Sequence, residues 1–177
     1  MRKLLFLLSI LISAIVLSSC SGGEGNLSLD KDFSVAKEKN EIILEALESQ
    51  SNELLTMQFS TEYVNNTSGF SATVEELFDY FNGEVLSYND WGGPLVETTK
   101  ENDQVFQTME ATLDVQTTEC EYRLAIKYVT KDTSNPKNVG VHSLYVIKAN
   151  DDICLEYAYW GDGKFTPGIN IGIPNIE

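Results

Sequence analysis

The chain has 177 residues, with 12 Lys and Arg against 27 Asp and Glu, one His, and a formal net charge of −15. A surface this acidic repels phosphates, which excludes nucleic-acid binding and attraction to anionic lipid head groups. Aromatic residues make up 10% of the chain and β-rich stretches follow one another, which excludes a disordered polypeptide.

The N-terminus reads as an export signal. Met1-Arg2-Lys3 supplies positive charge, and residues 4–17 are apolar apart from Ser9 and Ser13. That length suits the apolar region of a signal peptide and falls short of the ~20 apolar residues of a membrane span. Leu17-Ser18-Ser19-Cys20 resembles the lipobox of bacterial lipoproteins: an aliphatic residue, two small residues, and the cysteine that becomes the new N-terminus. The resemblance implies cleavage between Ser19 and Cys20, lipid (such as palmitate) on Cys20, and a place at the extracytoplasmic face of a cell membrane. Each buried CH₂ contributes about 0.8 kcal/mol, so two or three acyl chains hold far better than one. Cleavage leaves 158 residues (177 minus 19) and removes Arg2 and Lys3, so 10 basic side chains face 27 acidic ones, a charge of −17. That size suits one domain with a real core.

Residues 20–30, Gly- and Ser-rich, read as a lipidated flexible tether, and residues 31–177 as the domain. Ala36, Ile43, Leu47 and Leu54 recur near helical spacing, which predicts a helix from Val35 to Glu48 and a second from Glu53 to Phe59. Residues 65–71 read as a loop. Thr73-Val74-Glu75-Glu76 fits a capping box with Thr73 as N-cap. Val74, Leu77, Phe78 and Phe81 then form one apolar stripe, and Gly83 stops the helix.

After Gly83 the period falls to two. Strands are predicted at Val85–Trp91, Leu95–Thr99, Gln104–Val115, Glu121–Thr130, Val139–Ala149 and Ile153–Trp160. Helices followed by an antiparallel meander define an α+β fold, with N-terminal helices packed on a strongly curved sheet. Cys120 and Cys154 each start a strand with another strand between them, so they stand roughly 10 Å apart, too far for a disulfide. Two buried thiols acting as small apolar side chains are expected.

Leu77-Phe78-Asp79-Tyr80-Phe81-Asn82-Gly83-Glu84-Val85-Leu86-Ser87-Tyr88 resembles the "FF-x-G-x-V-x-S-Y" step of a family of clostridial-type lipoproteins of unknown function. Gly140-Val141-His142-Ser143-Leu144 is similar to its later "G-(I/V)-x-S-(L/I)" strand, and Gly168-Ile169-Asn170-Ile171-Gly172-Ile173 to its Gly-Ile-rich end. The resemblance covers residues 30–175. It implies the nuclear-transport-factor-two-like cone, also called SnoaL-like or cystatin-like. That superfamily contains isomerases, dehydratases and plain binding domains, and fold alone does not choose among them.

No motif specifies a reaction. A single His excludes His-rich metal sites, and Asn150-Asp151-Asp152 and Asp162-Gly163 lack EF-hand spacing and read as turns. Neither G-x-S-x-G nor S-x-x-K with its partner motifs occurs. Glu119 and Glu121 flank Cys120 and make its thiol a poor nucleophile. Acid–base chemistry remains: His142, whose strand parity matches Leu144 and Val146, would need a pocket carboxylate such as Asp114. Tyr122, Tyr128 and His142 are the candidate pocket residues, and Trp91 and Trp160, each beside glycine at a strand end, the candidate ligand rim. The leading expectation is a lipid-anchored envelope protein that binds a protein or small molecule without catalysis, and without cofactor or metal. The alternatives are a small isomerase- or dehydratase-like enzyme using His142, or an inhibitor or immunity-type protein that meets a basic partner with its acidic face.

Overall fold

In a computed structural model, residues 24–151 and 168–172 are described. The chain divides into two units, Met1–Asp32 and Phe33–Glu177. Four helices come first: α1 (Glu24–Glu48), α2 (Asn52–Thr56), α3 (Thr61–Asn66) and α4 (Phe70–Tyr80). Among the described residues six strands follow: β1 (Val85–Asp90), β2 (Leu95–Glu101), β3 (Gln104–Thr117), β4 (Glu121–Asp132), β5 (Gly140–Lys148) and β6 (Ile169–Ile171); the expected strand Ile153–Trp160 lies outside the described residues. They form one curved, unclosed antiparallel sheet in the order β1-β3-β4-β5-β6, and β2 also pairs with β3. β1 and β2 share one edge of β3: β1 runs beside Leu113–Thr117 and β2 beside Gln104–Glu110. The α+β expectation holds.

Several boundaries differ from the sequence reading, each for a physical reason. α1 begins at Glu24, inside the expected tether, because no proline interrupts 24–34 and a formed helix extends at little cost. The expected loop over 65–71 is mostly helix. Ser60 caps α3 by accepting from the Tyr63 N–H at 3.0 Å. α4 starts at Phe70 rather than after a Thr73 cap. Its N-cap is Gly69 at φ 81°, and the Thr73 N–H and hydroxyl both donate to the Gly69 carbonyl. The extra turn is gained because Phe70 is buried, packing edge-on against Phe59 with centroids 5.1 Å apart.

The core lies between the helices and one face of the sheet. α1 supplies Ala36, Ile43, Leu44 and Leu47, and α4 supplies Val74, Leu77 and Phe78, with Phe81 just beyond its end. The sheet supplies Met109, Ala111, Leu113 and Val115 from β3, Tyr122, Leu124, Ile126 and Tyr128 from β4, and Val141, Leu144 and Val146 from β5. Alternation of period two carries these side chains to the helix side, with one extra residue in β5 between Val141 and Leu144.

Two hydroxyls inside this apolar layer are fully partnered. The Tyr128 hydroxyl donates to Oδ1 of Asn40 on α1 at 2.5 Å, and both residues are buried. Asn40 occupies a gap in the apolar stripe of α1, four residues after Ala36 and three before Ile43. The Tyr122 hydroxyl donates to the Tyr80 carbonyl at 3.0 Å and accepts from the Asn82 N–H at 2.8 Å, so the sheet caps the C-terminus of α4. Burial pushes Tyr122 up to about 12 and raises Tyr128 as well. Gly140 sits at φ 140°, where a side chain would strike the Ser60 backbone, because the α2–α3 link bridges to Val141 on the edge of β5.

These contacts set stability. Tyr128→Phe strands the buried Asn40 carbonyl and should cost about 1–3 kcal/mol. Phe81→Ala empties a site whose ring packs 4.6 Å from that of Tyr122 and should cost about 3–5 kcal/mol. Urea unfolding measures both, and a loss below about 0.5 kcal/mol, the range of surface substitutions, contradicts the packing.

Candidate functional site

The face of the sheet turned away from the helices carries the polar and charged side chains of β3 and β4. Asp114 and Arg123 pair at 2.8 Å, and Lys127 and Glu110 at 2.6 Å. Opposite charges directly across an antiparallel pair support each other on an otherwise solvated surface. Trp91, 45% exposed just after β1, donates its indole N–H to Asp114 Oδ2 at 2.8 Å. The Arg123 guanidinium stacks 4.4 Å from its ring centroid. Trp91 therefore stands at the end of a strand, packed into a charged cluster. Its sequence counterpart Trp160, like Cys154 and Cys20, lies outside the described residues. Cys120 is a free, half-buried thiol immediately before β4.

A groove of about 480 Å³ opens on this same face. β2 contributes Glu97 and Thr99, and β3 contributes Phe106 and Thr108. β4 adds Lys127 and Val129, and the β4–β5 turn and β5 add Asn138 and His142. Two register shifts make the hollow. One falls between Gln107 and Thr108 in the β3–β4 pairing, the other between Lys127 and Tyr128 in the β4–β5 pairing. Bulges bend a strand and increase its local twist, and they recur beside functional sites.

The second bulge corrects the sequence reading of His142. Val141 stands opposite Tyr128 and Ser143 opposite Lys127, so His142 is the extra residue. The slip breaks its parity with Leu144 and Val146. Those two face the core, while His142 lines the groove on the other face. Tyr122 and Tyr128, expected to share a pocket with it, are instead fully buried against the helices. The three residues do not form one site.

Within the groove, His142 Nε2 donates to the Asn138 backbone carbonyl at 2.7 Å, which leaves Nδ1 as the ring atom available to a ligand. The turn that supplies this carbonyl is organised by Asp132. Its Oδ1 accepts from the Ser134 N–H and hydroxyl and from the Asn135 N–H, and its Oδ2 from the Asn138 side-chain amide at 2.9 Å. Hydrogen bonds from Ser134 and Asn138, then from the Asn135 backbone, hold the Asp132 carboxyl down at about 2. Glu97 has no ion pair among the described residues, and the Thr99 and Thr108 hydroxyls have no protein partner there. Lys127 is engaged by Glu110. Among the described residues no group of three or more His, Cys, Asp and Glu side chains could hold a metal ion.

The site is thus a small polar groove on the face of an α+β sheet turned away from the helices; further along that face Tyr145 and Ile147 of β5 are buried. The chain belongs to the family described as a domain of unknown function (DUF5104), whose pattern matches residues 41–149. That match spans α1 from Glu41 to the end of β5, the helices and strands that build the core and the groove. No curated protein matches the chain.

The Asp132 turn yields a pH signature. Its folded pKa lies below the ordinary carboxylate value of about 3.9, so its stabilising contribution is complete above that value and disappears as pH falls toward 2. Asp132→Ala should therefore destabilise the protein at neutral pH, and the gap from wild type should close between about pH 4 and pH 2. Thermal melts across that range measure it, and a gap that persists unchanged at pH 2 contradicts the assignment.

Proposed function

We propose that the chain is a lipid-anchored, non-enzymatic binding domain of the bacterial cell envelope, which meets its ligand in the groove on the sheet face turned away from the helices. The anchor reading is supported by Leu17-Ser18-Ser19-Cys20 behind a charged, apolar leader. No described helix is long and apolar enough to cross a membrane, and a lipid on Cys20 requires none. The nuclear-transport-factor-two-like cone is supported by helices that precede a curved antiparallel sheet.

The observation that carries the binding reading is the division between the two faces. A cone enzyme of the isomerase or dehydratase kind keeps its acid–base group in a pocket between helices and sheet. Here that space holds Tyr122, Tyr128, Leu113 and Leu124, all fully buried. His142 faces the other way, with its ring held by a backbone carbonyl. A general base needs a partner that sets its protonation state and an enclosed place for the reacting proton. A tethered His in an open groove suits recognition by hydrogen bonding.

Two measurements test the proposal. Cells given a clickable fatty acid should label the wild-type chain and leave Cys20→Ala unlabelled, and label on the variant overturns the anchor. Envelope extract added to the isotopically labelled full chain in detergent should perturb the amide signals of Thr99, Phe106, Thr108 and His142. Perturbations confined to the helices, or none, overturn the groove as the binding site.

A further inference from the structure

We infer that the groove takes an uncharged sugar, a pyranose ring seated on Phe106 with its hydroxyls held by Glu97, Thr99 and Thr108. This rests on the reading of the groove as the binding site and names the chemistry that fits it.

The lining selects by elimination. Phe106, 39% exposed, presents an aromatic ring in a groove whose other walls are mostly polar. Beside it stand the Glu97 carboxylate and the Thr99 and Thr108 hydroxyls, none with a partner among the described residues. Lys127 brings a positive charge, but Glu110 neutralises it at 2.6 Å. The lining is therefore left with the charge of Glu97, within a chain of net charge −15. A phosphate or carboxylate ligand meets repulsion and no uncommitted cation. A purely apolar ligand would strip water from the Glu97 carboxylate and both hydroxyls without replacing those hydrogen bonds. A simple amine would satisfy Glu97 and leave Thr99 and Thr108 unused.

A pyranose satisfies all of these groups together. Its C–H face is apolar and flat enough to cover an aromatic ring, and its rim carries neighbouring hydroxyls. A carboxylate is an acceptor at both oxygens, so Glu97 can receive two adjacent hydroxyls. Thr99 and Thr108 each donate and accept. The two threonines flank the Phe106 position along adjacent strands, Thr99 paired with Phe106 itself and Glu97 paired with Thr108. Stacking surface and hydrogen-bonding groups thus sit on neighbouring rungs of one ladder. His142 Nδ1 lies across the groove as a further partner, since Nε2 is already committed to Asn138. About 480 Å³ falls within the ~300–1,000 Å³ of small-ligand sites. The openness of a groove in a sheet face favours weak binding, with a dissociation constant of roughly 1 mM or somewhat below for a short oligosaccharide.

The test is a titration of the labelled full chain in detergent with chitotriose, cellotriose, spermidine and inorganic phosphate, followed by NMR. The neutral trisaccharides should give saturable shifts at Thr99, Thr108 and His142, and phosphate none. Phe106→Ala and Glu97→Ala, both at exposed positions, should each weaken binding tenfold or more while signals from the helix side stay in place. Shifts with spermidine and not with the sugars overturn the sugar and make the groove a cation site. If both trisaccharides fail while envelope extract still perturbs the groove, the sugar is wrong and the binding site stands. If the extract fails too, the binding reading falls with it.

Discussion

Two tyrosine hydroxyls in an apolar layer constrain the rest of this structure. The helix-facing side of β4 carries Tyr122 and Tyr128 among Leu124 and Ile126, and burial of either ring takes a hydroxyl away from water. Such a group must find a partner inside or destabilise the fold. Tyr128 finds Asn40 in the middle of α1, and Tyr122 finds the backbone at the end of α4. Each bond works only at one axial position of its helix. Hydrophobic burial brings helices and sheet together without direction, and the two hydroxyls supply the direction.

Filling that layer has a consequence for function. The rings and aliphatic side chains that lock the helices also fill the space between the helices and the sheet. The binding chemistry proposed above lies on the opposite face, where β3 and β4 carry charges of both signs and bury neither ion pair deeply. On that face shape comes from backbone irregularity. Two bulges on neighbouring pairings bend the sheet beneath Phe106, Thr108 and His142, and the Asp132 turn fixes the carbonyl that orients the histidine. Membership of the DUF5104 family covers these same elements.

Much of the fold was legible in the sequence because burial imposes a period. The stripe Val74-Leu77-Phe78 and the alternation Met109-Ala111-Leu113-Val115 both proved to be core. What escaped was set by tertiary contacts or by counting. The start of α4 depends on Phe70 meeting Phe59, which no capping pattern near Thr73 can report. The facing of His142 depends on one extra residue in β5, and a single slip of register reverses every inference drawn from parity. Tyr122 and Tyr128 were correctly placed on one face together, but their hydroxyls suggested a ligand where the partner was the protein itself. A usable signal was present for one of them: Asn40 interrupts an otherwise apolar stripe at helical spacing, which marks a polar group with a buried partner. The groove had no such signal, since its residues come from four strands and a turn and converge only through the two bulges.

The proposed function depends on an accessible hollow on the sheet face turned away from the helices and, among the described residues, on buried side chains beneath the helices. Relaxation of side-chain methyl signals by a soluble gadolinium chelate, measured on the full chain, tests it most directly. Strong enhancement is expected for the γ-methyls of Thr99 and Thr108 and little for Met109, Leu113, Leu124 and Val146. Comparable enhancement at Leu113 and Leu124 would reveal an open interior pocket and rule out this division between the two faces.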